Sequence, residues 1–227
     1  MKVGILGTGM VGRIHAEKLA SLGHDVMIGT QDVAVTLAKA EADRWGSLPF
    51  GSWLKEHPLV KLDSMPAAAS HGELVINALN AKACPGALKV LAAELKGKDL
   101  IDISNPLDFS KGMPPSLFVC NTDSLAEQIQ KAIPETRVVK ALNTSNAILM
   151  VNPAALAGAE HSTFVSGNDL ASKTRVISYL KNWYGWKDVI DLGDIATARG
   201  TEMLIPVWLS LRGAFQTPLF NFKVVRG

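Results

Sequence analysis

The chain has 227 residues, of which 48% are hydrophobic and 19% are charged, and its formal net charge is +2. This length and composition are typical of a compact globular protein with a large core, and they argue against a disordered chain. So small a net charge, without a concentrated lysine and arginine segment, offers no basic surface to a phosphate backbone. We therefore expect no nucleic-acid partner.

The cellular setting is indicated by the cysteines, the N-terminus and one apolar stretch. Cys84 and Cys120 have neither metal-ligand nor disulfide-framework spacing, which favours a reducing cytoplasm. Met1 and Lys2 lead directly into a strand pattern, unlike a signal peptide. The stretch from Met203 to Leu211 is far shorter than the ~20 residues that span a bilayer, so we expect no membrane partner.

Short apolar runs alternate with helix-like segments along the chain, which is typical of a parallel sheet covered by helices. The first half has, in chain order, the strand Lys2 to Leu6, the helix Val11 to Leu22, the strand Asp25 to Ile28, the helix Val33 to Trp45, and the strands Val60 to Asp63 and Leu74 to Leu79. The helix around Pro85 to Leu95, the strand Asp99 to Ile103, the helix Ser124 to Ala132 and the strand Arg137 to Leu142 follow. The last third has the strand His161 to Ser166, the helix Asn168 to Trp183, the strand Asp188 to Leu192, the apolar helix Ile195 to Leu211 and a short strand at Val224 and Val225.

These elements predict an α/β fold: a doubly wound, mostly parallel Rossmann sheet with a small C-terminal helical addition. The sequence has no glycine- or serine-rich linker to mark a domain boundary. We divide it near residue 150 into an NAD(P)-binding Rossmann domain, residues 1–150, and a smaller part, residues 151–227. We expect the second part to complete a cleft and to contact another subunit.

A glycine-rich G-x-G-x-x-G motif joins the first strand to the first helix. In this motif the first glycine allows a tight turn, the second lets a pyrophosphate approach the backbone, and the third lets helix pack on strand. Backbone N–H groups and the helix dipole then hold the anion. Glycines also serve plain turns, but the position between a buried strand and a helix favours dinucleotide binding. The predicted cofactor-binding residues here are Gly7, Thr8, Gly9, Met10, Val11 and Gly12.

The end of the second strand indicates which dinucleotide is bound. NAD-specific domains place an acidic residue there, and this chain has Thr30 followed by Gln31. Both side chains can donate hydrogen bonds to a 2′-phosphate, which favours NADP over NAD even though Asp32 lies close by. Lys39 or Arg44 can supply the positive charge, although either is also an ordinary surface residue in this kind of loop.

Three later segments place small polar groups directly after buried strands, at the edge where doubly wound sheets bind ligands. They suit the binding of a nicotinamide carboxamide and a second ring, although asparagine, serine and proline also favour turns for local reasons. The segments are Asn77 to Asn80, Ser104 to Asp108 and Asn143 to Asn146. The predicted cofactor-binding residues in them are Ala78, Leu79, Asn80, Asn105, Pro106, Leu107, Asn143, Thr144 and Ser145.

The sequence has no recognisable pattern for a catalytic acid, a nucleophile or a metal site. The five histidines are scattered, and no G-x-S-x-G or H-E-x-x-H motif is present. Direct hydride transfer between two bound cofactors needs positioning and exclusion of water more than proton transfer. The apolar residues Trp208 and Leu211 of the last helix predict a core or subunit face, with a cofactor wall as the alternative.

Several motifs together resemble the coenzyme F420-dependent NADP oxidoreductase family and, more distantly, the nucleotide domain of the STEAP ferric reductases. The similarity runs nearly end to end. The residues that carry it are Gly7 to Gly12, Asn105 to Leu107, Val138 to Thr144, Val165 to Asn168, Asp191 to Gly193, Glu202, Leu204 and Pro206.

This resemblance implies hydride exchange between NADPH and the deazaflavin F420, with both rings stacked in a cleft. It also implies that Thr8 to Val11, Thr30 and Gln31 hold NADP, that Asn143 to Asn146 lie by the deazaflavin, and that the protein is a homodimer. The family's usual basic residue is replaced by Gln31, and a histidine common in its F420 reductases is replaced by Asn143.

Two other functions stay open from the sequence. One is an NADPH-dependent reductase whose acceptor is a flavin or chelated ferric iron. The other is a protein that senses NADP without turnover.

Overall fold

A computed structural model describes residues 1–42 and 46–227. Arg44, one of the two predicted sources of positive charge, lies outside the described residues, as does the end of the predicted helix Val33 to Trp45.

An eight-stranded sheet forms the centre of the molecule and confirms the predicted Rossmann fold. The strand order is β10-β9-β8-β5-β4-β1-β2-β3, and all neighbouring strands are parallel except β8 and β9. A separate two-stranded antiparallel ribbon pairs β6 with β7. The strands are β1 Lys2–Leu6, β2 Asp25–Thr30, β3 Val60–Ser64, β4 Leu74–Asn77, β5 Asp99–Asp102, β6 Leu107–Asp108, β7 Ser116–Leu117, β8 Arg137–Ala141, β9 Ser162–Gly167 and β10 Asp188–Gly193.

Eleven α-helices are described within residues 1–42 and 46–227, together with shorter helical turns. Several of them are shorter than the sequence pattern predicts. They are α1 Met10–Ser21, α2 Val33–Ala38, α3 Phe50–Glu56, α4 Met65–His71, α5 Cys84–Val90, α6 Ala92–Leu95, α7 Leu125–Ala132, α8 Ala147–Val151, α9 Leu170–Tyr179, α10 Ala198–Met203 and α11 Ile205–Phe215.

Residues that alternate along the central strands pack on opposite faces of the sheet. Val3 and Ile5 of β1 belong to the core under α1, whereas Leu6 belongs to the core on the other face. In β4, Ile76 belongs to the same core as Val3 and Ile5, and Val75 belongs to the core on the other face. This burial on both faces is the reason that the strands read as continuous apolar runs.

The strand order reverses at β1, which lies between β2 and β4. From β1 the sheet continues through β2 and β3 on one side, and through β4, β5 and β8 on the other. Doubly wound sheets bind ligands in the crevice at the carboxyl ends of the strands at this point. The fold therefore directs attention to the residues that follow β1 and β4.

A buried charge network joins the sheet to the C-terminal part of the chain. Lys140 Nζ lies 2.8 Å from Asp102 Oδ2 and 2.8 Å from Glu202 Oε1, and the three side chains are at most 1% exposed. Burial alone would lower the pKa of Lys140, but the two carboxylates outweigh it and raise that pKa. Glu202 also accepts hydrogen bonds from the N–H groups of Leu125 and Ala126, at the start of α7.

The last residues form an irregular tail along β9, and the predicted short strand at Val224 and Val225 is wrong. The N–H of Val224 donates to Ser162 Oγ, 2.9 Å away, and the N–H of Ser162 donates to the carbonyl of Phe222, also 2.9 Å away. The tail thus contacts β9 through isolated bonds rather than a ladder.

No helix within residues 1–42 and 46–227 is long and apolar enough to cross a membrane.

Candidate functional site

The glycine loop between β1 and α1 has the geometry that its motif requires. Gly7 has φ +119°, and a Cβ there would lie 2.5 Å from the carbonyl oxygen of Ala78. A Cβ on Gly12 would lie 2.2 Å from the carbonyl oxygen of Gly7, so the helix approaches the loop as closely as glycine allows. A Cβ on Gly9 would meet nothing within 4 Å. Gly9 therefore faces open space, which is where a pyrophosphate has to approach.

The first turn of α1 is suited to an anion. Gly9 is the N-cap residue, no side chain caps the helix, and the first turn carries no acidic residue. Helix N-termini leave their first N–H groups without intrahelical partners and carry partial positive charge. The loop and helix together fit the pyrophosphate of a dinucleotide.

Three cavities surround the glycine loop, and each is named here after one lining residue. The Asn105 cavity has a volume of about 540 Å³ and lies against the ends of β4 and β5. The Trp208 cavity, about 630 Å³, lies between the glycine loop and α11. The Arg13 cavity, about 630 Å³, lies on the side of α2. Gly9 lines the last two of these.

The Asn105 and Trp208 cavities adjoin each other, because both are lined by Val11, Ala78 and Met150. Two ligands that occupied them would therefore meet at this wall. Such an arrangement suits a reaction in which two rings exchange a hydride directly.

The Asn105 cavity is bordered by two loops that are tied to each other. Asn105 Nδ2 donates to the carbonyl of Asn143, 2.8 Å away, and Asn143 Nδ2 donates to Asn105 Oδ1, 2.9 Å away. At the rim, Lys82 Nζ lies 2.8 Å from Asp108 Oδ1. The hydrogen bond from Lys82, with further bonds from Ser110, lowers the pKa of Asp108 to about 2.

Lys140 stabilises the loop that contains Asn105. Its Nζ donates to the carbonyl of Ser104, 2.6 Å away, directly before Asn105 in the chain. Asp102 accepts from Ser104 Oγ at 2.7 Å and from Asn77 Nδ2 at 2.8 Å. The buried charge network thus fixes the ends of β4, β5 and β8 at the cavity.

The Trp208 cavity is mainly apolar with two polar side chains from α11. Trp208 Nε1 is buried and has no hydrogen-bond partner among the described residues. Arg212, one turn further along α11, also lines the cavity. Asn146 Nδ2 donates to the carbonyl of Pro218, which joins the loop after β8 to the C-terminal tail. Arg212 therefore gives this mainly apolar cavity a guanidinium cation for a ligand.

The end of β2 differs from the arrangement that the sequence favours. Thr30 is 8% exposed, and its hydroxyl lies 2.6 Å from the hydroxyl of Thr36. Gln31 is exposed, and Asp32 accepts the N–H of Val35 as the N-cap of α2. Asp32 thus has a structural role, and Thr30 faces the protein interior rather than the Arg13 cavity.

The structure brings most of the predicted site residues together at these cavities. Ten of them line a cavity wall: Thr8, Gly9, Met10, Val11, Ala78, Leu79, Asn80, Asn105, Leu107 and Ser145. The other seven, which lie in none of the three walls, are Gly7, Gly12, Thr30, Gln31, Pro106, Asn143 and Thr144. Their part in cofactor binding stays a prediction.

Three residues that the sequence patterns do not single out also line the cavities: Arg13, Met150 and Arg212. Arg13 directly follows the third glycine of the motif, so its position on the first turns of α1 was a signal that could have been used. Met150 and Arg212 carry no local signal, because they reach the site through the packing of α8 and α11.

The thiol of Cys84, behind the Asn105 cavity, has a shifted pKa. Burial, with the nearby charge of Asp102, raises the pKa of the Cys84 thiol, whose sulfur accepts a hydrogen bond from Asn77. No group of histidine, cysteine or acidic side chains able to hold a metal ion occurs within residues 1–42 and 46–227.

The strand order and the glycine loop define a Rossmann-type protein of the dinucleotide-binding class. A family model described as NADP oxidoreductase, coenzyme F420-dependent, matches residues 2–106. A solved structure of a protein from Arthrobacter sp. FB24, whose proposed activity is that of an F420-dependent NADP reductase, is 56% identical over 100% of both chains, with a TM-score of 0.95. The chain therefore belongs to the F420-dependent NADP oxidoreductase family.

Two curated relatives are similar over less of their own length. The F420-dependent NADP reductase of Methanocaldococcus jannaschii is 32% identical over 148 residues, which are 63% of this chain and 64% of the relative. The metalloreductase STEAP3 of Rattus norvegicus is 28% identical over 212 residues, 91% of this chain and 38% of the relative. The matched region is thus just under two thirds of the first relative and little more than a third of the second.

Proposed function

We propose that this protein transfers a hydride between NADPH and coenzyme F420 or a related flavin. The observation that carries the proposal is the pair of adjoining cavities beside the glycine loop, which share the wall of Val11, Ala78 and Met150. The relatives described as F420-dependent NADP reductases support the same reaction.

In this reaction the bound dinucleotide supplies the hydride, and the protein binds, orients and shields the rings. The glycine loop and the start of α1 hold the pyrophosphate. The Asn105 cavity receives the nicotinamide, whose carboxamide is matched by the polar groups of Asn80 and Asn105. The Trp208 cavity receives the acceptor, with Arg212 as a polar anchor and Trp208 as part of the wall. The apolar wall between them excludes water and keeps the two rings at the short distance that transfer requires.

The experiment is to mix the purified protein with oxidised F420 and either NADPH or NADH, and to follow the absorbance of both cofactors. We expect loss of the deazaflavin absorbance with NADPH and much slower loss with NADH. Binding of the dinucleotide without any change in F420 absorbance would contradict F420 as acceptor. Equal rates with both dinucleotides would contradict the preference for NADPH.

A second candidate is an NADPH-dependent reductase of flavin or ferric iron. The similarity to the rat metalloreductase along 91% of this chain favours it. Oxidation of NADPH by FAD, FMN or a ferric chelate, without reduction of F420, would establish this function instead. NADPH binding without turnover by any of these acceptors would indicate a sensor.

We also propose that the protein acts as a cytoplasmic homodimer. Cys84 and Cys120 form no disulfide, as expected in a reducing compartment. The helix α11 presents apolar side chains to the surface, among them Val207 at 49% and Phe215 at 55% exposure. An apolar surface of this kind favours a subunit contact. The division at residue 150 belongs to the same proposal, although the sheet continues across it from β8 to β9.

A further inference from the structure

We propose that Arg13 binds the 2′-phosphate of NADP and thereby gives this chain its selectivity for NADPH. The inference rests on the proposed function in one respect, namely that NADP is the dinucleotide bound at the glycine loop. It assigns the selectivity to the first helix instead of the residues that follow β2.

The residues after β2 are poorly placed for this role. The hydroxyl of Thr30 is buried against that of Thr36, 2.6 Å away. Gln31 is exposed and uncharged, and Asp32 caps α2 with its carboxylate. A dianionic phosphate needs a cation nearby, and the side chains of these three residues offer none.

Arg13 supplies a cation on the neighbouring wall. Its side chain lines the Arg13 cavity beside Thr8 and Gly9, so it lies next to the loop that would hold the pyrophosphate. Lys39 lines the same cavity and adds a second positive charge, while Glu41 contributes one negative charge. Among the described residues that line this cavity, two cations and one anion combine with the Thr8 side chain, a balance that favours an anionic ligand.

The guanidinium of Arg13 is held in place before any ligand arrives. Its Nε donates to the carbonyl of Thr8, 2.8 Å away, and its Nη1 donates to the carbonyl of Leu48. Its Cζ lies 5.1 Å from the centre of the Phe50 ring and 5.7 Å from that of Trp53, within the range of cation–π contacts. A guanidinium that is already fixed loses less side-chain entropy when a ligand binds.

The 2′-phosphate is the chemical group that distinguishes NADPH from NADH. NADPH carries this phosphomonoester on the adenosine ribose, where NADH has a hydroxyl. A charge-assisted bond from Arg13 is therefore available to NADPH alone, whereas contacts to the pyrophosphate or the adenine would strengthen both.

The experiment measures dissociation constants for NADPH and NADH by calorimetry, and for adenosine 2′,5′-bisphosphate against AMP. The proteins are the wild type, Arg13→Gln, Arg13→Lys and, as a matched control, Lys18→Gln. Lys18 is on the same helix, so its substitution removes an equal charge, and it lines none of the three cavities. The bisphosphate contains no nicotinamide, so its binding is independent of the hydride acceptor and of the proposed reaction.

For Arg13→Gln we expect weaker binding of NADPH and of the bisphosphate by roughly tenfold to a hundredfold, with NADH and AMP changed by less than about threefold. Arg13→Lys should lose less, and Lys18→Gln should match the wild type. Equal losses of affinity for NADPH and NADH would overturn the inference. They would mean that Arg13 contacts a part common to both dinucleotides, such as the pyrophosphate, or that it supports the glycine loop. Unchanged NADPH binding in Arg13→Gln would overturn it as well.

Discussion

At the scale of single residues, the three motif glycines differ in what a methyl group would meet. The side chain of alanine at Gly9 would occupy the open space in front of the loop, and Gly9 has the ordinary φ of −72°. We expect Gly9→Ala to fold with its free energy of unfolding changed by less than about 0.5 kcal/mol. We also expect NADPH binding to weaken by at least about tenfold, because the methyl group takes the place of the pyrophosphate.

The comparison variant is Gly12→Ala, where the new Cβ would lie 2.2 Å from the carbonyl oxygen of Gly7. Backbone has to shift there, and we expect destabilisation by about 2 kcal/mol or more in urea unfolding. Unchanged NADPH affinity in Gly9→Ala would mean that the dinucleotide does not bind at this loop.

His15 lies on the buried face of α1, and burial lowers its pKa from 6.5 to about 3. The unfolded chain therefore takes up a proton below pH 6.5 that the folded protein refuses until about pH 3. The free energy of unfolding should fall with pH in that window, by about 2 kcal/mol between pH 7 and pH 5 from this group. We expect His15→Gln to remove that part of the pH dependence in urea unfolding at the two pH values.

The matched variant for His15 is Tyr184→Phe. Tyr184 OH lies 2.8 Å from His15 Nδ1, and its removal leaves the histidine buried. Because burial is the cause of the low pKa, Tyr184→Phe should keep the pH dependence. A pH dependence that is the same in His15→Gln and the wild type would refute this account.

At this scale the sequence predicted the backbone geometry of the glycine loop but not the packing of Thr30 at the end of β2. The tight turn at Gly7 and the close approach at Gly12 follow from a local motif, so spacing was enough to predict them. The surroundings of Thr30 depend on Thr36, whose position is set by how α2 packs, and local pattern does not reveal that.

At the scale of elements, the buried network of Lys140, Asp102 and Glu202 joins two strands to two helices. Lys140→Met would leave two buried carboxylates without their cation. We expect it to lower the free energy of unfolding by about 3 to 5 kcal/mol, since a broken buried ion pair leaves uncompensated charge.

The control for that expectation is Lys187→Met. Lys187 pairs with Glu160 at 3.1 Å, but both side chains are about 60% exposed, so water already screens them. Its loss should change stability by less than about 0.5 kcal/mol. A change below about 1 kcal/mol in Lys140→Met would show that the network contributes little to stability.

The strands were predicted more accurately than the helices, and the reason is physical. A strand buried on both faces is a continuous apolar run, bounded by turn residues. The helix predicted from Ile195 to Leu211 is instead a short turn followed by α10 and α11, which meet at Leu204. Pro206 lacks an N–H and is favoured in the first turn of a helix, so it begins a new helix here instead of kinking an existing one.

At the scale of the whole molecule, the exposed apolar face of α11 leads to a prediction about the oligomeric state. Val207→Glu would place a charge on this face, and burying an unpaired charge at a contact is costly. We expect the wild type to be a dimer and Val207→Glu a monomer in size-exclusion chromatography with light scattering.

Val90→Glu is the matched variant, because Val90 is an apolar residue 81% exposed on a different helix, α5. It should retain the mass of the wild type. A monomeric wild type, or a dimer in which Val207→Glu has no effect, would contradict a subunit contact through α11.

The sequence predicted the class of the whole fold, because alternating strands and helices leave few arrangements open. It did not reveal that β9 would pair antiparallel with β8 and extend the same sheet. The order of strands at a sheet edge depends on contacts between distant segments, such as those that Glu202 makes with Lys140 and α7. Those contacts have no local signature.

The buried network has a consequence for protein synthesis. A growing chain emerges from the ribosome N-terminus first, so Lys140 and Asp102 are available well before Glu202. Until then the first N–H groups of α7 and one side of the Lys140 ammonium have no partner. We therefore expect this region of the nascent chain to become fixed only when α10 docks. A stall or premature stop between these positions would release a chain with buried polar groups left unsatisfied, the kind of product that cellular quality control removes.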